Sequence, residues 1–160
     1  MTLRFERLQR AHDRTAFSCG VPVLDEFLQR SALQNAKAGL STSHVLVDSG
    51  APRQILGYMT ICTAEIELAG LQEADRRRLP RYPVPALRLA RLAVATEVQK
   101  RGYGELMIGE AVGRALAIRE QAGVRVLLVD ALDDRAAAYY ESYGFRRAAI
   151  GVRVLYLPLG

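Results

Sequence analysis

A glycine-containing segment, Gln-Lys-Arg-Gly-Tyr-Gly at residues 99–104, carries the clearest chemical signal in the chain. An apolar, strand-like run at residues 87–94 precedes it, and a helical pattern at residues 105–118 follows it. A strand that enters a glycine loop and opens a helix directs backbone N–H groups and the positive helix end at one point. The segment therefore predicts a site for a pyrophosphate-bearing cofactor.

The glycine spacing completes neither of two better-known phosphate-binding motifs. The P-loop ends in Gly-Lys-Ser/Thr, and the dinucleotide fingerprint has a third glycine that this segment lacks. A turn that simply needs glycine between a strand and a helix explains the loop about equally well. Roughly forty residues downstream, the sequence around Tyr140, Gly144 and Phe145 favours the binding site.

Residues 99–104 and 140–145 together resemble the two signature segments of the GNAT acetyltransferases. In that family the first segment holds the pyrophosphate of coenzyme A, and the tyrosine of the second lies near the sulfur of acetyl-CoA. The resemblance implies acetyl-CoA as the co-substrate and no metal. It also implies an α/β GNAT fold, with a single central mixed sheet of about six to seven strands flanked by helices.

The resemblance also implies the residues of the site. Tyr140 is the implied catalytic acid, which would donate a proton to the thiolate of coenzyme A as it leaves the acetyl group. A phenol with an ordinary pKa near 10 keeps its proton at neutral pH and can donate it. Many members carry Asn seven residues before this tyrosine, where this chain has Asp133, so that residue's usual cofactor contact is not carried over. The implied cofactor-binding residues are Leu92, Ala93, Val94, Gln99, Lys100, Arg101, Gly102, Tyr103 and Gly104.

Two further blocks, at residues 17–35 and 79–94, resemble the GNAT toxins of bacterial type II toxin–antitoxin systems. That branch acetylates the amino group of aminoacyl-tRNA, and the resemblance extends over about residues 5–159. It implies a toxin that inhibits translation, a ribbon-helix-helix antitoxin as partner, a homodimer and a cytoplasmic location without a membrane partner.

The charge balance agrees with an RNA substrate. Lys and Arg number 22 against 17 acidic residues, a formal net charge of +5. Arginine binds phosphate through two parallel hydrogen bonds and stacks on bases. The densest group of arginines lies at residues 76–88, just before and at the start of the strand expected to bind acetyl-CoA. A basic run is more often only a solvated surface, but this position, beside the place expected for the acetyl acceptor, favours tRNA binding. The predicted tRNA-binding residues are Arg76, Arg77, Arg78, Arg81, Arg88 and Arg91.

The strand at residues 86–94 contains no glutamate, where many members place a general base. A free α-amine has a pKa of about 7.7 to 8.0, and an adjacent ester lowers it, whereas a lysine side chain titrates near 10.4. The missing base therefore favours an aminoacyl ester over a protein lysine as the acceptor. A base acting through a water molecule stays open.

The elements predict one domain over residues 1–160. No apolar run reaches the length of a membrane span, and the first residues lack the apolar stretch of a signal peptide. Cys19 and Cys62 are expected to be reduced and structural. Strands are predicted at residues 3–8, 43–47, 55–64, 86–94, 124–131 and 153–157, helices at 23–38, 105–118 and 134–142, and a short helix or loop at 70–78.

Two other functions stay open. A GNAT enzyme of this kind could act on a small amine, an antibiotic or a protein N-terminus, although the arginine cluster and the block at residues 17–28 argue against it. The fold could instead serve as a non-catalytic module that binds RNA or a protein. The intact loop at residues 99–104, together with Tyr140, argues against that reading.

Overall fold

The computed structural model describes residues 2–151 and 153–160, so Met1 and Val152, which belong to the predicted domain, lie outside the described residues. Its strands are β1 (Leu3–Arg7), β2 (Thr42–Asp48), β3 (Gly57–Ile66), β4 (Val84–Val94), β5 (Val126–Asp130), β6 (Arg146–Arg147) and β7 (Val154–Pro158). Its helices are α1 (Pro22–Arg30), α2 (Ala32–Lys37), α3 (Glu73–Arg76), α4 (Tyr103–Arg119) and α5 (Asp134–Ser142).

The strands form one seven-stranded mixed sheet in the order β1-β2-β3-β4-β5-β7-β6, and the predicted α/β fold class is confirmed. The helix predicted at residues 23–38 is interrupted at Ser31, which separates α1 from α2. Gly39, with φ +75°, follows the end of α2, because glycine adopts this left-handed conformation without a Cβ penalty. Strand β6 was not predicted. None of the helices in the described part of the chain is long and apolar enough to cross a membrane.

The chain divides into two compact units. Unit 1 comprises Met1–Cys62 and Ala90–Ala111, and unit 2 comprises Thr63–Leu89 and Val112–Gly160. In the core of unit 1, the buried Tyr58 donates a hydrogen bond from its hydroxyl to the carbonyl of Leu24 at 2.6 Å. That bond ties α1 to β3, because it satisfies a polar group that would otherwise be costly to bury.

The core of unit 2 forms where β5 pairs with β4 on one side and with β7 on the other. Ala86 to Leu89 of β4 pair in parallel with Val126 to Val129 of β5. Strand β5 is antiparallel to β7. The buried cluster on one face consists of Leu71, Val84, Ala86, Val126, Leu128 and Tyr156.

A network around Asp75 anchors the short helix α3 within unit 2. The Asp75 carboxylate accepts hydrogen bonds from the Tyr156 hydroxyl at 2.5 Å and from the Arg146 guanidinium. The same hydroxyl accepts a bond from the backbone N–H of Gln72 at 2.8 Å, and the Gln72 side chain donates to the carbonyl of Arg147 at 3.0 Å. A helix of four residues cannot stabilise itself, so these contacts hold α3 in place.

Burial alone would raise the pKa of the Asp75 carboxyl, but the hydrogen bonds from Arg146 and Tyr156 outweigh burial and lower it. The ionised carboxylate therefore stabilises the fold at neutral pH. Because the folded-state pKa is lowered, this contribution is present above the unfolded pKa of about 3.9 and is lost as the pH falls through the folded-state value.

We predict that Asp75→Ala lowers the free energy of unfolding by about 1–3 kcal/mol at pH 7, because it leaves the buried Tyr156 hydroxyl without an acceptor. Urea denaturation at pH 7 and pH 3 measures the effect, which should shrink at the lower pH. Glu73→Ala is the matched control, since that exposed carboxylate makes only a 3.8 Å ion pair with Arg77. Equal losses in the two variants would contradict an anchoring role for Asp75.

Candidate active site

The loop after β4 has the backbone conformation of an anion-binding turn. Gln99 is extended (φ −64°, ψ 158°), while Lys100 (φ +65°) and Gly102 (φ +82°) lie in the left-handed region. A Cβ added to Gly102 would meet no atom within 4 Å, so the conformation, not crowding, requires glycine there. Helix α4 begins immediately afterwards, at Tyr103. Such a turn at a helix N-terminus presents backbone N–H groups to a negatively charged ligand.

Two of the predicted cofactor-binding side chains make contacts within unit 1 that support the loop. The Gln99 amide donates to the carbonyls of Cys19 and Val94, each at 3.0 Å. The Tyr103 side chain is buried in the core of unit 1. Lys100 and Arg101, in contrast, are exposed. The structure thus gives Gln99 and Tyr103 positioning contacts and leaves the loop backbone and the two cations available to a ligand.

The end of β4 offers backbone groups as well as side chains. Pairing with β5 covers Ala86 to Leu89 only, whereas β4 continues to Val94. Ala93 is buried, while Leu92 and Val94 are half-buried. Backbone N–H and C=O groups along such a strand end can bond an extended ligand that itself carries amide groups, as an added strand would.

Gly57 was missed in the sequence and sets the position of this strand end. A Cβ on Gly57 would lie 3.0 Å from the Ala93 carbonyl oxygen and 3.0 Å from the Met107 sulfur. Next to it, the Ala95 N–H donates to the carbonyl of Leu56 at 2.9 Å. A glycine inside a strand pattern is the available sequence signal, because it marks a close backbone approach.

These features fit a cofactor that carries a pyrophosphate and an amide-containing arm. The loop has the left-handed turns and the helix start that a pyrophosphate requires, and two exposed cations stand in it. The strand end has backbone hydrogen-bonding groups beside a glycine that keeps the neighbouring strand close. Leu92, Ala93, Val94 and residues 99–104 would hold such a cofactor.

The helix that carries Tyr140 lies in unit 2 and is shaped by its flanking residues. Asp133 caps α5, since its carboxylate accepts a hydrogen bond from the Ala136 N–H at 2.8 Å. After the helix, Gly144 takes a left-handed conformation (φ +94°). That turn brings Phe145 back, so that its ring lies 5.4 Å from the Tyr140 ring, centroid to centroid. The spacing of Tyr140, Gly144 and Phe145 therefore has a structural reason: the left-handed turn at Gly144 lets the Phe145 ring pack against the Tyr140 ring.

The Tyr140 hydroxyl keeps its proton over the whole physiological range. Burial raises the pKa of Tyr140 to about 12. A buried phenol of this kind can donate a hydrogen bond to a developing anion without ionising itself. The Cys19 thiol is unsuited to nucleophilic attack. Burial, with a smaller effect of Asp25, raises the pKa of this thiol to about 11, and the thiol is the less reactive form.

The six predicted tRNA-binding arginines fall into two groups. Arg76, Arg77, Arg78 and Arg81 are exposed in unit 2. Arg88, also in unit 2, forms an ion pair with Asp130. Arg91, in unit 1, stacks over the Phe27 ring with its guanidinium carbon 3.6 Å from the centroid. The exposed group therefore offers its charge to a polyanion, although Arg77 lies 3.8 Å from the exposed Glu73 carboxylate. Arg88 and Arg91 have closer protein partners.

Comparison with known proteins identifies the family. Residues 41–147 match the acetyltransferase (GNAT) domain. The chain is also 35% identical over 139 residues to a tRNA-acetylating toxin of Mycobacterium tuberculosis, covering 87% of this chain and 81% of the relative. The chain belongs to the GNAT acetyltransferase family. Among GNAT acetyltransferases, it is close to the toxins that acetylate tRNA.

Two solved GNAT structures extend the comparison. AtaT complexed with acetyl-methionyl-tRNAfMet superposes with a TM-score of 0.92 at 26% identity, covering 98% of this chain and 95% of that one. A Tyr-to-Phe variant of AtaT, bound to the C-terminus of the antitoxin AtaR and to acetyl-CoA, gives a TM-score of 0.83 at 25% identity, with 99% and 94% covered. The predicted family is confirmed, and relatives bind the predicted co-substrate.

We predict that Gly57→Ala weakens acetyl-CoA binding, because the added Cβ would displace the Ala93 carbonyl at the strand end. The KM for acetyl-CoA should rise several-fold, and urea denaturation should show a loss of about 1–3 kcal/mol, as expected for overpacking. Gly109→Ala is the control, since nothing lies within 4 Å of its added Cβ. An unchanged KM in a destabilised Gly57→Ala protein would limit Gly57 to a packing role.

Proposed function

We propose that this chain transfers the acetyl group of acetyl-CoA to the α-amine of an aminoacyl-tRNA and so inhibits translation as a toxin. Residues 1–160 would act as one GNAT domain. The observation that supports an RNA substrate is a group of exposed arginines, Arg76, Arg77, Arg78 and Arg81. The group begins at the last residue of α3, the helix that Asp75 anchors. The likeness to toxins that acetylate tRNA supports the same substrate.

Acetyl-CoA, when bound, supplies an activated acyl group as a thioester. The backbone of the loop at residues 99–104 would hold its pyrophosphate, and Lys100 and Arg101 would add two positive charges. The end of β4 would bond its amide-containing arm. Binding of this kind restricts the acetyl group to one orientation, which contributes a large share of the rate enhancement.

Tyr140 would act on the leaving group. Its phenol, with a pKa of about 12, holds its proton at Oη and can donate a hydrogen bond to a developing thiolate. A cysteine-like thiol titrates near 8.5, so complete transfer of the proton from the phenol is uphill. The attacking amine loses one proton as the amide forms, and that proton balances the one that the departing sulfur gains.

Arg78 combines exposure with backbone strain in the arginine group. It has φ +66°, a left-handed conformation that side chains other than glycine and asparagine rarely adopt. Residues held in such sparsely populated conformations cluster at functional sites. Arg78 would therefore contact a phosphate of the RNA, and Arg88 and Arg91 would contribute in spite of their protein partners.

The partners follow from the same proposal. An antitoxin would bind and inhibit the chain, as the complexes of AtaT with AtaR suggest for this branch. A ribbon-helix-helix fold for that antitoxin and a homodimer of this chain remain parts of the proposal that rest on the family resemblance. Aminoacyl-tRNA is a cytoplasmic substrate, so the cytoplasm would be the place of action.

We predict that the purified protein labels aminoacylated tRNA, but not deacylated tRNA, with radioactive acetyl-CoA. Mild base should release the label as an N-acetyl amino acid, because base cleaves the ester and leaves the amide. Label on deacylated tRNA, or on neither pool while acetyl-CoA still binds, would contradict the proposal. The second result would point to a small amine or a protein N-terminus as acceptor.

We predict that Tyr140→Phe lowers kcat by roughly 10²- to 10⁴-fold, as for loss of an acid catalyst, with little change in KM for acetyl-CoA. The wild-type kcat/KM should rise with pH as the amine loses its proton, and should stay level to about pH 9, because Tyr140 titrates near 12. Tyr143→Phe is the matched control. Turnover at the wild-type rate in Tyr140→Phe would show that the hydroxyl is not used.

A further inference from the structure

A groove of about 320 Å³ lies in unit 2, between the proline-rich segment at residues 79–85, which runs into β4, and the segment from the end of α4 to Arg125. Three prolines line one side, and Arg119 and Arg125 line the other. Tyr82 also lines it, although 72% of that residue is exposed. The groove has the volume of a small ligand site. The three prolines belong to a block that resembles the toxin branch, and the proposed chemistry uses neither them nor Tyr82.

Hydrogen bonds to backbone carbonyls hold the walls of the groove. The Arg125 N–H donates to the carbonyl of Pro85 at 2.8 Å, and the Leu159 N–H donates to the carbonyl of Arg125 at 3.1 Å. The Arg119 guanidinium donates to the carbonyl of Leu159 at 2.7 Å. Prolines restrict the opposite wall by fixing φ. The groove is therefore preformed, which reduces the entropy lost when a ligand binds.

The chemistry of the lining selects one kind of ligand. The described residues that line the groove include two arginines and no acidic residue, and the exposed Arg81 precedes Tyr82 in the chain. Asp75 interacts electrostatically with Arg125, but its carboxylate is hydrogen-bonded to Arg146 and Tyr156. A purely apolar ligand would leave the guanidinium groups desolvated, and a plain anion would leave the tyrosine ring without a function.

We propose that this groove binds one unpaired nucleotide of the RNA substrate, with the base stacked on Tyr82 and a phosphate beside Arg125. Single-stranded RNA is recognised through stacking of its bases on aromatic side chains and through arginine contacts to its phosphates. The proposal rests on the proposed function, because it names a further contact with the same substrate. It adds recognition of a single-stranded nucleotide to the phosphate contacts of the arginine group.

The chain contains seven tyrosines and no tryptophan, which allows a direct test of stacking. Tyr82→Trp introduces a single fluorescent indole into the groove. A single-stranded RNA octanucleotide should quench its emission at low salt, and a double-stranded RNA of equal length should not. The readout needs no acetyl transfer, so it can succeed even where the proposed function fails.

Affinity and kinetics complete the test. Tyr82→Ala should weaken binding of the octanucleotide by roughly 5- to 100-fold, the range expected for loss of one stacked base, and Tyr82→Phe should restore it. With aminoacyl-tRNA, Tyr82→Ala should raise KM and leave kcat unchanged. Leu40→Ala is the control, since it removes another exposed apolar side chain, in unit 1.

The phosphate contact is tested separately. Arg125→Gln should reduce the slope of the logarithm of the RNA-binding constant against the logarithm of salt concentration by about 0.7.

Three results would overturn the proposal. One is unquenched indole emission together with unchanged RNA affinity in Tyr82→Ala. Another is equal quenching by double-stranded RNA, which would indicate a phosphate contact without stacking. The third is normal RNA binding by Tyr82→Ala with loss of binding to an antitoxin C-terminal peptide, which would make the groove a protein-docking site. Quenching in a protein that acetylates no aminoacyl-tRNA would instead reject the proposed function and keep the nucleotide site.

Discussion

The close approach of β3 to the end of β4 is the constraint on which the cofactor side of this protein depends. Gly57 allows it, because any Cβ there would lie 3.0 Å from the Ala93 carbonyl oxygen. The position of Val94 then follows, and the Gln99 amide bonds the Val94 carbonyl at 3.0 Å, so that the loop is tied to the strand that precedes it. The conformation of the loop at residues 99–104 thus depends on a residue forty-two positions before its first residue, from 99 back to 57.

In both units, a residue with a strained left-handed backbone follows a segment that side-chain hydrogen bonds hold in place. Among the described residues, Arg78, Lys100 and Arg153 are the non-glycine residues with positive φ. Lys100 follows Gln99, whose side-chain amide is hydrogen-bonded to backbone carbonyls, and Arg78 follows the helix that Asp75 anchors. A residue held in a sparsely populated conformation persists only where its surroundings over-determine it. The anchors therefore let cationic side chains occupy positions that glycine would fill at lower cost.

Much of the architecture was predictable because local patterns and tertiary contacts agree. Helix α5 was predicted with its observed bounds, since Asp133 caps it and Gly144 follows it. The break at Ser31 was missed because the apolar pattern continues through it. Strand β6, with only Arg146 and Arg147, has no alternating pattern at all, and only its pairing with β7 creates it.

The sequence by itself determined the family, the glycine loop and the residue types of the site, because these depend on local spacing and on the chemistry of single side chains. Only the tertiary structure decided how they are used. It buried Tyr140 and so raised its pKa, and it buried Tyr103 in the core of unit 1. It also bonded the Gln99 amide to backbone carbonyls and gave Arg88 and Arg91 protein partners. Burial, pairing and electrostatic environment arise from residues distant in the chain, and no local pattern records them.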